Sequence, residues 1–530
     1  MAAPPAGRTS LSERVAGAIF WNTVAFPLKA AIKFVAGLVL LWALTREGYG
    51  LFQASIGSLV AAIWTYSGLG ISAAILKFVP EVMEQQGRAG VGGFLLRLFT
   101  LRLTLLLLIV ALINLGRGAV IDFFNLGALG SLLIGAASAV VLMRAVTDTC
   151  GRVLTAYFQQ KTTNTLDIVS SLVQPLLIVA LVPGEAGGWG LGLGIRGAVF
   201  ALLIGAAVDM LLALMVVARA LRRLPPHAGL ARPVRRLWQR FTSSAAMNYV
   251  MDLSINITSP DFAALLLLWL ARPEALADIE ASWNQVMILL TYLVMPLNGI
   301  YVPMFSEIYA RREHHKLQPA YATLTRVLLL ATVPAGIGFI TLAPHIFTLL
   351  NLAEKYPHAA ASAQVLTLFM FGESIVVVPH VILMVYERYR VVLLSRLLAV
   401  AGAPLIAWVV LGGSPVAAAL IIGALRFASR AVLTPYASRH FGLQFPWRFA
   451  FRLLGPSLAF AALLALLRPV LPVAIDQPVW RNVLNLLLLV LVGIAVFVVG
   501  FRMLGGLHED DRRRLATMRI PFRGLMLRYL

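Results

Sequence analysis

Runs of about 20 apolar residues, each long enough to cross the hydrocarbon of a bilayer as a helix, recur along this chain from residue 18 to residue 504. A chain patterned this way satisfies its backbone in lipid only as helices, because the bilayer core offers no hydrogen-bond partners and nothing here alternates like a barrel strand. Fourteen spans are read: 18–44, 51–79, 94–116, 126–147, 164–184, 194–220, 243–271, 282–305, 320–350, 361–386, 391–411, 414–436, 449–472 and 481–504. Only 13% of the 530 residues are charged, about half the share in a soluble globular protein. The fold class expected is an all-α polytopic membrane protein with short loops and no sizeable soluble domain.

The net charge of +21 would also suit a nucleic-acid binder, but its distribution favours a topological cause. With the N-terminus placed in the cytoplasm and strict alternation of spans, 27 Lys and Arg residues fall in inside segments and 7 in outside loops. That is the bias by which basic loops stay on the cytoplasmic side, so both termini are expected there and no nucleic acid is expected as partner. The first seventeen residues lack the short apolar core and small-residue cleavage site of a secretory signal, so the first span is expected to target the chain. The single cysteine, Cys150, excludes an intramolecular disulfide framework and a Cys-rich metal site. His314-His315 has no third ligand at useful spacing, and no metal is expected.

The densest basic segment, 219–240, separates two stretches that match without a gap. WALTREGYGLFQAS (42–55) and WLARPEALADIEAS (269–282) share Trp, Glu and a closing Ala-Ser. The offset of 227 residues maps the first span onto the seventh in the same orientation, as in transporters built from parallel repeats. The expected organisation is a first six-helix lobe over 1–220, a basic linker over 221–242, a second lobe over 243–436, two appended helices over 437–504 and a basic tail over 505–530. The arginines of that tail suit anionic lipid headgroups.

Charge inside the spans carries the functional signal. Lys29 and Lys33 sit near the middle of the first span, four residues apart on one helical face. Each would cost roughly 2.5–3.5 kcal/mol at the bilayer centre, so both should face the protein interior or a water-filled cavity. A paired positive charge there suits a diphosphate; pairing with a structural acid is the alternative. Under the offset, Lys29 corresponds to Asn256, in a polar, Pro-interrupted seventh span that also holds Asp252 and Asp261. Asp252, Asp261 and the isolated Glu373 are candidates for coupling to a proton or sodium ion. Asp167 and Asp209 are weaker candidates, nearer to structural pairs. Lys77, Arg144 and Asn256 are candidates for the cavity or its rim, although Arg144, Asp148 and Arg152 also read as an ion ladder at four-residue steps. Arg396 and Arg426 are expected to snorkel to the cytoplasmic surface. The run 192–197 spells a dinucleotide fingerprint but has no preceding strand; it reads as small residues packing helices closely.

The opening of the chain is similar to a known family. The first span, then Thr45-Arg46-Glu47-Gly48-Tyr49-Gly50-Leu51-Phe52, Gly68-Leu69-Gly70-Ile71-Ser72-Ala73-Ala74-Ile75 and Lys77-Phe78-Val79-Pro80-Glu81 resemble polysaccharide flippases of the O-antigen and exopolysaccharide type. These belong to the superfamily of multidrug, oligosaccharidyl-lipid and polysaccharide exporters. The resemblance covers about the first eighty residues; beyond them it is one of topology. It implies translocation of an undecaprenyl-diphosphate-linked oligosaccharide across the bacterial inner membrane by alternating access, with ion coupling, no cofactor and no catalysis. Family cations on the first spans would map to Lys29 and Lys33. A polysaccharide polymerase and a chain-length regulator are the protein partners it implies. The rival readings are a proton- or sodium-coupled exporter of small molecules, a lipid II flippase and, from another class, a membrane glycosyltransferase or polymerase, for which the loops are too short.

Overall fold

The structure, a computed structural model, describes residues 28–29, 31–32, 34–156, 160–183, 190–222, 235–257, 260–270, 273–294, 301, 304–305, 308–309, 312–386 and 388–506. Among the described residues there is no strand, and nine helices are long and apolar enough to cross a membrane, joined by the shorter apolar helices Phe34–Ala43 and Thr165–Leu181. The all-α polytopic fold expected from the apolar runs is what forms. Packing divides the chain into two compact units, Met1–Ala277 and Asp278–Leu530.

The first unit begins with the apolar helix α1 (Phe34–Ala43), then α2 (Arg46–Phe52), a π-helical turn over Gln53–Ser58 and α3 (Leu59–Ser67). It continues through α4 (Ile71–Leu115), α5 (Arg117–Phe123), α6 (Gly130–Ala156), α7 (Gln160–Leu181), α8 (Gly194–Arg222), α9 (Arg235–Ile257) and α10 (Pro260–Trp269). The second expected span, 51–79, does not run through. It stops at Ser67, and Leu69 and Gly70 take positive φ of 47° and 63° before α4 starts. A Cβ at Gly70 would collide with the carbonyl oxygen of Ala245 in α9, so glycine is needed both for the left-handed backbone and for the close approach. Hydropathy is blind to such a break. From there α4 runs unbroken for 45 residues, about 68 Å, and only its second half, Gly92–Leu115, has the hydropathy of a span.

Neighbouring helices approach closely where side chains are absent. A Cβ at Gly197 would come within 2.6 Å of the Leu181 carbonyl oxygen, so the glycine-rich run at 192–197 closes α7 against α8, as small residues do in membranes. The two matched segments also share their local structure. Thr45 caps α2 by accepting from the Gly48 amide at 3.0 Å, and 227 residues later α11 (Pro273–Leu293) starts at the position equivalent to Arg46. Ser55 and Ser282, which correspond, each donate to the carbonyl four residues back, Leu51 and Asp278. Arg46 reaches Glu274 at 3.3 Å.

The second unit starts within α11. It contains α12 (Leu317–Leu349), α13 (Ala359–Val385), α14 (Tyr389–Ala401), α15 (Ala403–Leu411), α16 (Pro415–Ala431), α17 (Leu433–Phe441), α18 (Trp447–Leu467) and α19 (Val479–Met503). Prolines 334, 344, 379 and 456 lie inside these helices. They are tolerated in lipid because neighbouring side chains engage the freed backbone groups; Gln364 Nε2, for example, donates at 2.8 Å to the carbonyl of Ile340, which Pro344, four residues on, leaves without its helical donor. On α18 and α19, Leu458, Leu466, Val479, Trp480 and Val499 are more than half exposed, which marks a surface that faces lipid.

Candidate functional site

Three helices of the first unit turn one face each toward a shared cavity. On α7, Asp167, Ser170, Ser171 and Gln174 recur at the three- and four-residue steps that put side chains on one helical face. Leu202, Gly205, Ala206 and Asp209 do the same on α8, and Arg144 and Thr147 on α6. Together with Lys29 from the helical turns before α1, these eleven residues line a cavity of about 350 Å³. A polar chamber inside an apolar bundle stays favourable only if its charges are matched or hydrated, and this one holds two of each sign.

Lys29 Nζ donates to Asp167 Oδ2 at 2.6 Å. The lysine side chain is 16% exposed and the aspartate 45%, so the pair sits at the cavity wall with its acid opening into the chamber. Arg144 is exposed even though it lies within the bundle, because it borders cavity space; its electrostatic partner is Asp209. Asp209 is flanked by Ser170, Asp167 and Arg144, and its Oδ1 is buried without a hydrogen bond among the described residues.

The structure therefore brings together Lys29 and Arg144 of the expected site residues, with Asp167 and Asp209 as their counter-charges. Lys33 lies outside the described residues; Lys77 falls on α4, with its side chain outside them. The ion ladder forms only in part. Asp148 binds Arg152 at 3.2 Å and Arg102 at 3.0 Å, while Arg144 is left to the cavity. Arg102 is 1% exposed and lies over the Trp64 ring at 4.1 Å.

The other candidates stand elsewhere. Asn256 is buried in α9, 3.5 Å from Thr65 Oγ1, and Asp252 on the same helix is exposed, within electrostatic reach of Arg152. Asp261 occupies the first turn of α10, where a carboxylate complements the helix dipole. Glu373, in the second unit, is gripped by Arg426 and Arg430. Snorkelling is the wrong description of Arg396 and Arg426: Arg396 is 4% exposed and Arg426 points at Glu373, because α14 and α16 turn these faces toward α13 and not toward the membrane surface. His314 Nδ1 lies 3.0 Å from the Tyr386 hydroxyl, and no group of three His, Cys, Asp or Glu residues suited to a metal occurs among the described residues.

In the second unit an apolar groove of about 420 Å³ runs between α11, α12, α18 and α19, bordered by Leu289, Phe339, Leu342, Phe460, Val490 and Phe497. It presents almost no polar atom and suits hydrocarbon.

The fold is similar to that of solved transporters. A structure described as the lipid II flippase MurJ in an inward closed conformation matches with a TM-score of 0.68 at 11% identity, covering 92% of this chain and 99% of that one. An inward-facing multidrug resistance MATE family transporter of the MOP superfamily matches with 0.60 at 14% identity, covering 79% and 97%. A MOP superfamily transporter from Pyrococcus furiosus, described as having a binding pocket of reversed polarity, matches with a TM-score of 0.56 at 14% identity, covering 82% and 99%. No curated protein matches the chain in sequence. Residues 15–309, more than half of the chain, match the family described as polysaccharide biosynthesis protein; the chain belongs to that family.

Proposed function

We propose that this chain moves an undecaprenyl-diphosphate-linked oligosaccharide across the bacterial inner membrane by alternating access, both termini being cytoplasmic. The observation that carries the reading is the chamber holding Lys29 and Arg144 among membrane helices. Attraction between a diphosphate and two cations is several times stronger there than in bulk water. Asp167 and Asp209 keep the empty chamber neutral, and an arriving diphosphate competes with them for the cations. Proton uptake by a displaced carboxylate would relieve the repulsion, so Asp167 and Asp209 are better placed to couple transport to a gradient than Asp252, Asp261 or Glu373. The apolar groove beside α18 and α19 would shelter part of the lipid tail. No bond is made or broken in this cycle, and the chain acts as a transporter, not an enzyme. A polymerase and a chain-length regulator would take up the flipped product.

The carboxylates support a second reading, export of small cations, for which they would be the ligands and the lysine an obstacle. The test is surface glycan in cells that depend on this chain, with protein level followed by immunoblot. Lys29→Ala and Arg144→Gln should abolish the glycan at unchanged protein level, and Lys29→Arg should restore part of it. Full glycan in the Lys29→Ala, Arg144→Gln double variant overturns the diphosphate site. Loss of cation efflux in Asp167→Asn, with glycan intact, establishes the export reading instead.

A further inference from the structure

The second unit holds a charge cluster that the transport reading does not use. Glu373 in α13, its side chain 5% exposed, accepts from Arg426 Nε at 3.0 Å and Nη2 at 3.2 Å and forms an ion pair with Arg430 Nη1 at 2.8 Å, both arginines lying on α16. Arg396 in α14 completes the group. It is 4% exposed, faces Arg426, Arg430 and Glu373 electrostatically, and makes no hydrogen bond or ion pair among the described residues. Its Nε, the Nε of Arg430 and the Nδ1 of His380 are buried with no hydrogen-bond partner among the described residues. The Trp283 ring packs on Arg426, 5.3 Å from its guanidinium carbon.

Guanidinium groups do not give up their protons in proteins. Among the described residues, three against one carboxylate leave a surplus of two positive charges on membrane-spanning helices, and an unpaired ion is costly to bury. A protein escapes that cost by supplying a counter-ion. Glu373 shows which chemistry fits: an oxygen pair taken up by the planar fork of Arg426 with Arg430 beside it, the geometry arginine offers to carboxylates and phosphates alike.

We propose that Arg396, Arg426 and Arg430 form an anion-binding site for an oxyanion, a carboxylate or phosphate group, with Glu373 as the built-in partner and Arg396 as the cation left for the ligand. The site is independent of the transport reading, since it rests on charge balance in the second unit alone, and its test reads binding and not transport. The group could arrive as an acid substituent on a sugar or as free phosphate.

The test is thermal unfolding of the full chain in detergent, in buffer whose only anion is bulky and weakly coordinating. The Lys29→Ala, Arg144→Gln background silences the first cavity. Titration with glucuronate, inorganic phosphate or chloride should give a saturable rise in Tm for an oxyanion and none for chloride. A response to glucuronate alone assigns the site to a sugar acid, and a response to phosphate alone assigns it to phosphate. Adding Arg396→Gln should remove the rise while Arg396→Lys keeps part of it. Adding Glu373→Gln should lower the starting Tm and enlarge the rise, because the oxyanion then replaces the lost carboxylate. No rise in either the background or its Glu373→Gln derivative, an equal rise in the Arg396→Gln variant, or a rise with chloride as large as with the oxyanions overturns the assignment.

Discussion

The two units treat charge inside the membrane in opposite ways. In the first, Lys29, Asp167, Arg144 and Asp209 are balanced two against two and open onto a chamber of about 350 Å³. In the second, Glu373 is nearly sealed among three arginines, and the balance is one against three. An open, balanced set can change partners, because water or ligand replaces whichever bond is broken. A sealed set keeps the bonds it has, since any lost bond exposes an ion to a low-dielectric surrounding, and can only add a counter-ion where a cation such as Arg396 is left over. Openness, more than the number of charges, is what should separate a group that exchanges its partners from one whose ion pairs hold the fold.

The sharpest way to break that contrast is to remove one partner from each set. Glu373→Ala strands three guanidinium groups and should destabilise the chain by about 3–5 kcal/mol, read as a fall in the denaturation midpoint in detergent or as lost accumulation in the membrane. If openness decides and the unit does not, Arg102→Ala in the first unit belongs with it. Its guanidinium side chain is 2% exposed against Asp148, and its loss should cost a similar amount. A small effect at both sites would mean that water reaches them and that the sealed description is wrong.

Next in size is the coupling within the chamber. A double-mutant cycle on Arg144→Gln and Asp209→Asn should return an interaction of about 1 kcal/mol, within the range for groups sharing a network. Asp167→Asn, which opens a partly exposed pair, should cost about 1 kcal/mol or less while changing transport far more than stability. A loss at Asp167 as large as at Glu373 would erase the distinction between the two sets.

The same contrast explains what could be read from residues alone. Lys29 is legible because a lysine ten residues inside an apolar run has few explanations. Its partner is not, since Asp167 lies 138 positions away and charge pattern carries no information on which helices meet. The stripe Asp167, Ser170, Ser171, Gln174 was available as a signal: a polar face on an otherwise apolar helix points inward. Arg144 shows the limit, because steps of four suit a surface ladder and a cavity wall equally, and only the neighbour across the helix decides. Arg396 and Arg426 lie close enough to the span ends for snorkelling to be the expectation from sequence. Depth alone does not tell a cation that reaches for water from one that reaches for Glu373. The turn at Leu69–Gly70 was hidden for another reason: a left-handed break leaves hydropathy unchanged.

The smallest effect is the most discriminating control, because it keeps the carboxylate constant. Asp148 bonds two arginines, Arg102 with its side chain 2% exposed and Arg152 with its side chain 43% exposed, at 3.0 and 3.2 Å. Distance is nearly equal, so a pairwise view based on contact geometry assigns the two similar worth. Exposure assigns them very different worth. Arg152 follows Asp148 by four residues on one helix, and such a solvated pair contributes about 0.3–0.5 kcal/mol. Arg152→Ala should therefore move the unfolding midpoint barely beyond error and should weaken further in effect as salt is raised, because exposed pairs are screened. Arg102→Ala should be large at every salt concentration. Measured side by side, the two variants separate bond length from surroundings as the source of stability. Equal losses would show that the Asp148 carboxylate is served alike from both sides, and the ranking of open and sealed charges in both units would then have to be abandoned.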